Sequence, residues 1–173
     1  MEKKLDNIRE SYDKYYKGML KNGELPFFST KHGFYSSIPF YDIIVLLDKL
    51  KLEDCKSFID LGSGDGKLVI MAALITKATG VENDVGIFRD SMRKKDELKS
   101  NAVFLFEDYI NVDLSKYDVI FINPDRRLHE LEKKLRREMK GKLVVYGGLY
   151  EPLNLKLVNS FVLRGFKVSV YEN

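Results

Sequence analysis

Several short apolar runs in this 173-residue chain end in a side chain that can accept hydrogen bonds. Residues 57–61 carry Asp60 and lead into Gly62-Ser63-Gly64-Asp65-Gly66, with glycine at every second position. Residues 77–82 end in Glu82, residues 102–106 are followed by Glu107 and Asp108, and residues 117–122 run into Asn123-Pro124-Asp125. Acceptors of this kind suit a ligand rich in N–H and O–H donors. Two carboxylates beside a tight turn would repel a diphosphate and favour a cation. A strand, a glycine turn and an apolar helical pattern (Leu68, Val69, Met71, Ala72, Leu74) form the opening unit of a doubly wound α/β sheet. Such sheets bind ligands at the carboxyl ends of their strands, so these residues are expected to converge there.

Asp60-x-Gly62-x-Gly64-x-Gly66 resembles motif I of class I S-adenosylmethionine (SAM)-dependent methyltransferases. It departs from the G-x-G-x-x-G of dinucleotide folds. The resemblance implies a SAM site built on Asp60, Leu61, Gly62, Ser63, Gly64 and Gly66. Glu82 follows Gly62 by twenty residues, the spacing at which nucleotide-binding α/β folds place an acid on the ribose hydroxyls. Asn83 is expected beside it, shaping the next turn. In the class I pattern an acid after the third strand accepts from the adenine amino group. That implies Asp108 as the acceptor, with Tyr109 or Ile110 as a wall of the base.

Asn123-Pro124 stands where methyltransferases that act on nucleic-acid amino groups carry Asn or Asp, two prolines and an aromatic residue. Here Asp125 and Arg126 replace the second proline and the aromatic, which weakens a base acceptor. Asn123 and Asp125 are expected to orient a nucleophile or accept its proton, and Asn123 is also expected to contact the cofactor, facing its transferable methyl.

Upstream, residues 26–39 form an aromatic, hydroxyl-rich stretch read as a loop. It resembles the segment before motif I in small archaeal relatives of the non-SET, DOT1-like histone-lysine methyltransferases. The resemblance makes Ser36 and Ser37 candidates for the methionine end of the cofactor and Tyr35 a candidate catalytic residue. His32 is a further candidate base.

The elements that must position these groups follow from periodicity. Helices are expected over 3–21, 40–51, 66–75, 84–98, 126–139 and 153–163, and strands over 57–61, 77–82, 102–106, 117–122, 142–146 and 165–171. The expected fold is a Rossmann-like, mostly parallel sheet. With one strand after the last helix, it would lack the seventh strand of class I enzymes. Residues 1–39 are expected to complete the site of a core spanning 40–173, within a single domain.

Hydrophobic residues at 45% and charged residues at 32% suit a globular chain. The net charge of +3 is too small to demand a nucleic-acid partner. A single cysteine excludes an internal disulfide framework, and no run approaches the roughly 18 apolar residues of a membrane span. A cytoplasmic enzyme without metal is expected. Methyl transfer to a protein lysine is the first expectation and RNA the alternative. A non-catalytic SAM-binding subunit and a nucleotide-sugar or NAD-dependent enzyme are the competing classes.

Overall fold

A computed structural model describes residues 2–30 and 33–173. His32 lies outside the described residues. The chain opens with α1 (Glu2–Lys21), followed by two short antiparallel strands, β1 (Phe27–Ser29) and β2 (Phe34–Ser36), then α2 (Phe40–Lys49). The stretch expected to be loop is thus a small hairpin, with Phe28 paired to Tyr35. The central sheet alternates with helices: β3 (Ser57–Leu61), α3 (Lys67–Ala72), β4 (Lys77–Glu82), α4 (Val85–Glu97), β5 (Val103–Phe106), β6 (Val119–Ile122), α5 (His129–Glu138) and β7 (Lys142–Tyr146). It closes with β8 (Lys156–Leu163) and β9 (Phe166–Glu172).

The strand order is β5-β4-β3-β6-β7-β9-β8. The first five strands are parallel, and β9 runs antiparallel to both neighbours. Between β3 and β6 the order reverses, so the glycine turn after β3 opens at the switch point where open α/β sheets take ligands.

The seventh strand is therefore present, and the helix expected over 153–163 is wrong: Lys156–Leu163 is strand β8. Two features hid it. A bulge between Leu157 and Asn159 breaks the alternation, and Asn159-Ser160 in its middle reads as polar punctuation. The turn into β9 is Arg164-Gly165, with φ of 46° and 90°. That is the left-handed pair of a two-residue hairpin, which normally announces itself as Asn-Gly. Loop 147–155 takes the place of a helix before β8.

Two apolar layers sandwich the sheet. On one face, Ile8 and Tyr12 of α1 and Ile43 and Leu46 of α2 pack with the all-buried α3 against Phe58, Phe121, Val144 and Val168. On the other, Leu131 and Leu135 of α5 cover Ile59, Ile120, Leu143 and Val145. Inner strands buried on both faces read as continuous apolar runs, which is why β3, β6 and β7 were visible in the sequence.

Candidate active site

The carboxyl ends of β3, β4 and β6 enclose a cavity of about 340 Å3, lined from above by residues 33–38, 123–128, 130 and 131. The glycine turn forms its floor. Gly64 has φ +56°, and a Cβ there would stand 3.0 Å from Cε2 of Tyr35. At Gly66 (φ +79°) a Cβ would lie 2.5 Å from Cζ of Phe104. Left-handed backbone and close neighbours together demand glycine at both positions.

Glu82 ties this turn to the end of β4. Its Oε2 accepts from Gly64 N–H (3.0 Å), and its Oε1 from Asn83 N–H (2.9 Å) and Asp84 N–H (2.8 Å). Burial raises the Glu82 carboxyl above its ordinary range, and the three amide hydrogen bonds pull the other way. Asp60 lies deeper, 4% exposed. Burial first, and then the charges of Glu82 and Asp65, hold its carboxyl well above the usual range. A sulfonium or an ammonium brought beside this carboxyl would reverse that penalty.

Asp65 organises a network that sequence reasoning missed. Its Oδ2 accepts from the hydroxyls of Tyr35 (2.8 Å) and Tyr16, its Oδ1 from Lys67 N–H (3.1 Å), and its carbonyl from the Tyr12 hydroxyl (2.9 Å). The Lys67 ammonium donates to Ser37 Oγ (2.7 Å) and Tyr16 Oη (2.9 Å) and lies 4.7 Å from the Tyr16 ring centroid. Burial lowers Lys67, while Asp65 opposes that shift. Helix α1 thus reaches the glycine turn through two tyrosines, spaced one helical turn apart at positions 12 and 16. That spacing was the available signal; which acid it would meet was not.

The other candidates divide by place. Ser36, Leu61, Gly62, Ser63 and Asn83 line the cavity. Tyr35 does so with its hydroxyl donated to Asp65, so it braces the turn. Asp108 lines the cavity while its Oδ1 caps the short turn 109–111 by accepting from Ile110 N–H (3.0 Å). Tyr109 and Ile110 stand beside it.

Asn123 is exposed just beyond the end of β6. Asp125 instead latches the hairpin over the cavity: its Oδ2 accepts from Phe34 N–H (2.7 Å), and its Oδ1 pairs with Arg126 Nε (2.9 Å). Partial burial pushes the Asp125 carboxyl up, but the Arg126 and Phe34 hydrogen bonds outweigh it and leave the group below its ordinary value. A carboxylate so occupied is a weak base.

The basic helix is also less uniform than its sequence. Lys134 is buried and paired with Glu138 (2.7 Å), whereas Lys133, Arg136, Arg137 and Lys140 are exposed. None of the described helices is long and apolar enough to cross a membrane.

A reversed sheet, a left-handed glycine turn and acids at successive strand ends define a class I SAM-dependent methyltransferase. The chain belongs to the family described as histone methylation protein DOT1, which it matches over residues 28–120, more than half its length. It is also similar to a probable cobalt-precorrin-6B C(15)-methyltransferase (decarboxylating) of Sulfurisphaera tokodaii. Identity is 29% over 144 residues, covering 75% of this chain and 72% of the relative.

Among solved structures it resembles an RNA methyltransferase from Salinibacter ruber in complex with S-adenosyl-L-homocysteine. The TM-score is 0.66 at 21% identity, covering 78% of this chain and 92% of that one. It also resembles the T. thermophilus 16S rRNA N2 G1207 methyltransferase RsmC, with a TM-score of 0.63 at 16% identity over 84% of this chain and 45% of that one.

Proposed function

We propose that the chain transfers the methyl group of SAM to an amino nitrogen, and that the acceptor is an RNA base. The observation that carries this reading is Asn123-Pro124, which lines the cavity immediately after β6 with Asn123 exposed. An Asn side chain there can orient an amino group without adding a charge that must be desolvated. SAM supplies an electrophilic methyl on a sulfonium, and the protein's task is alignment and charge matching.

In this reading Gly62, Ser63, Gly64 and Gly66 bring backbone close to the cofactor, with Leu61 packed behind them. Asp60 faces its cationic end, and Glu82 with Asn83 takes the ribose. Asp108 and Tyr109 hold the base. Ser36, Ser37 and Tyr35 close the methionine end, so that residues 1–39 complete the site. The exposed Lys133, Arg136, Arg137 and Lys140 supply a phosphate-facing surface. RNA methyltransferases among the proteins of similar fold support the choice.

Protein lysine is the second reading, favoured by the family to which residues 28–120 belong. Incubating a lysate with tritiated SAM, and then separating protein, RNA and small molecules, decides between them. Label in RNA supports the proposal. Label in protein moves the assignment to lysine, and label in small molecules alone removes both.

A further inference from the structure

Resting on the reading of an amino-nitrogen acceptor, we infer that Tyr146 and Asp42 form its receiving wall, a role no motif assigns to either.

The observations begin at the register. Ile122 of β6 pairs with Val145 of β7, so Asn123 and Tyr146, one step further along each strand, are neighbours. A Cβ on Gly147, the next residue, would lie 3.7 Å from Oδ1 of Asn123. Side chains alternate along both strands, which puts Asn123 and Tyr146 on the face that holds Phe121. The Tyr146 ring lies 6.3 Å from that of Phe121 and stacks at 5.4 Å on Phe166.

Asp42, in the first turn of α2, is 1% exposed, and its Oδ1 takes the Arg164 guanidinium at 2.9 Å. Among the described residues, neither its Oδ2 nor the Tyr146 hydroxyl has a hydrogen-bond partner, and both are buried. Burial, and then the charge of Asp42, push the phenol up to about 12, so the two groups sense one another and the hydroxyl keeps its proton near neutrality.

Buried polar groups are almost always satisfied, because an orphaned one forfeits its hydration. Two such orphans, one at the end of β7 beside the exposed Asn123 and one on α2, are a sacrifice of stability. It makes sense if a third group completes them. Asp42 Oδ2 can only accept, and the Tyr146 hydroxyl can accept as well as donate, so the pair can take both N–H donors of an amino nitrogen, which Asn123 would approach from its other side. Arg164 pairs with Asp42 and Phe166 stacks on Tyr146, so this hairpin is the element that must give way as the acceptor enters.

The test is Tyr146→Phe, with Asp42→Asn beside it. The deleted hydroxyl has no partner among the described residues, so Tyr146→Phe should melt no lower than wild type. SAM affinity, measured by calorimetry, should stay within twofold. Transfer to the tritium-labelled acceptor should fall about tenfold, the value of one lost hydrogen bond. Saturation-transfer NMR on protein loaded with S-adenosylhomocysteine supplies a second readout, with cytidine and n-butylamine as probes of planar and aliphatic amino groups. Binding of either to wild type that is lost in Tyr146→Phe supports the wall, and the probe that binds says which amine it takes.

A lower melting temperature with unchanged transfer would make the pair structural and overturn the inference. So would equal probe binding by wild type and variant, or none by wild type. Either result, obtained while wild type still labels an acceptor, leaves the methyl-transfer reading intact. If wild type labels no fraction but binds an amine through Tyr146, that reading fails and the wall stands.

Discussion

Asp60 and Glu82 share a small volume, and their titration has a sign that can be worked out. Both carboxyls are raised in the folded chain, chiefly by burial. A raised acid contributes stability that is complete below its ordinary value near 4, and that is lost as pH rises through its folded value. The ligand-free protein should therefore lose stability as pH climbs above the ordinary carboxylate range. Asp60→Asn should flatten that decline. A cationic cofactor favours the ionised acid, so SAM should bind more tightly towards the upper end of the same window and raise the melting temperature most there. Thermal melts of both proteins from pH 5 to 8, with and without SAM, check this; a parallel decline in the Asn variant would exonerate Asp60. Glu82→Ala removes three amide contacts as well as the proposed ribose contact. Charged hydrogen bonds contribute about 1.5–3 kcal/mol each, so calorimetry should find affinity weakened at least tenfold. Unchanged affinity in a folded variant would remove Glu82 from the cofactor site. At Gly64 a valine meets both a positive φ and the Tyr35 ring. It should abolish SAM binding while the far-UV circular dichroism stays nearly intact.

At the scale of elements, the sequence disclosed what periodicity and spacing encode. Asp60, the glycines and Glu82 were legible because strand, turn and strand follow one another within 26 residues (57–82). The β1–β2 hairpin was not, since three-residue strands with exposed phenylalanines carry no alternation to read. Strand β8 was mistaken for helix because most of it is exposed edge, where no buried face imposes a period. Helix α5 shows the converse: its charges looked uniform, and only packing reveals that Lys134 is buried against Glu138. That difference gives a prediction. Replacing Lys133, Arg136, Arg137 and Lys140 should leave stability and SAM affinity unchanged and weaken an RNA acceptor, with a smaller effect at high salt. Lys134→Ala should instead destabilise the fold by about 3–5 kcal/mol at most, because it strands a partner of a largely buried ion pair. Denaturant titrations and acceptor KM at two salt concentrations separate the two faces. A stability loss in the fourfold variant would contradict the division.

For the molecule as a whole, the question is whether α1 is an appendage or part of the site. Its contacts to the glycine turn span 49 to 53 residues of sequence, too far for any local pattern to show them. Tyr16 serves both charges, donating to the Asp65 carboxylate and accepting from Lys67, while Tyr12 donates to the Asp65 backbone carbonyl. Without α1 the turn would keep a buried carboxylate and a buried ammonium with fewer partners, and each lost hydrogen bond to a charged group costs about 1.5–3 kcal/mol. Helix α1 also buries Ile8 and Tyr12 in the layer that holds α2 and α3. The helix and the sheet should consequently unfold in one transition, seen alike by tyrosine near-UV and backbone far-UV dichroism. Tyr16→Phe isolates the electrostatic part, because it keeps the ring and removes the hydroxyl shared by Asp65, Lys67 and Ser37. It should lower the midpoint and weaken SAM binding together, and SAM should restore part of the lost stability by mass action. If α1 melts in a separate, earlier transition, or if Tyr16→Phe leaves SAM affinity untouched, the helix is an appendage and the site ends at β2.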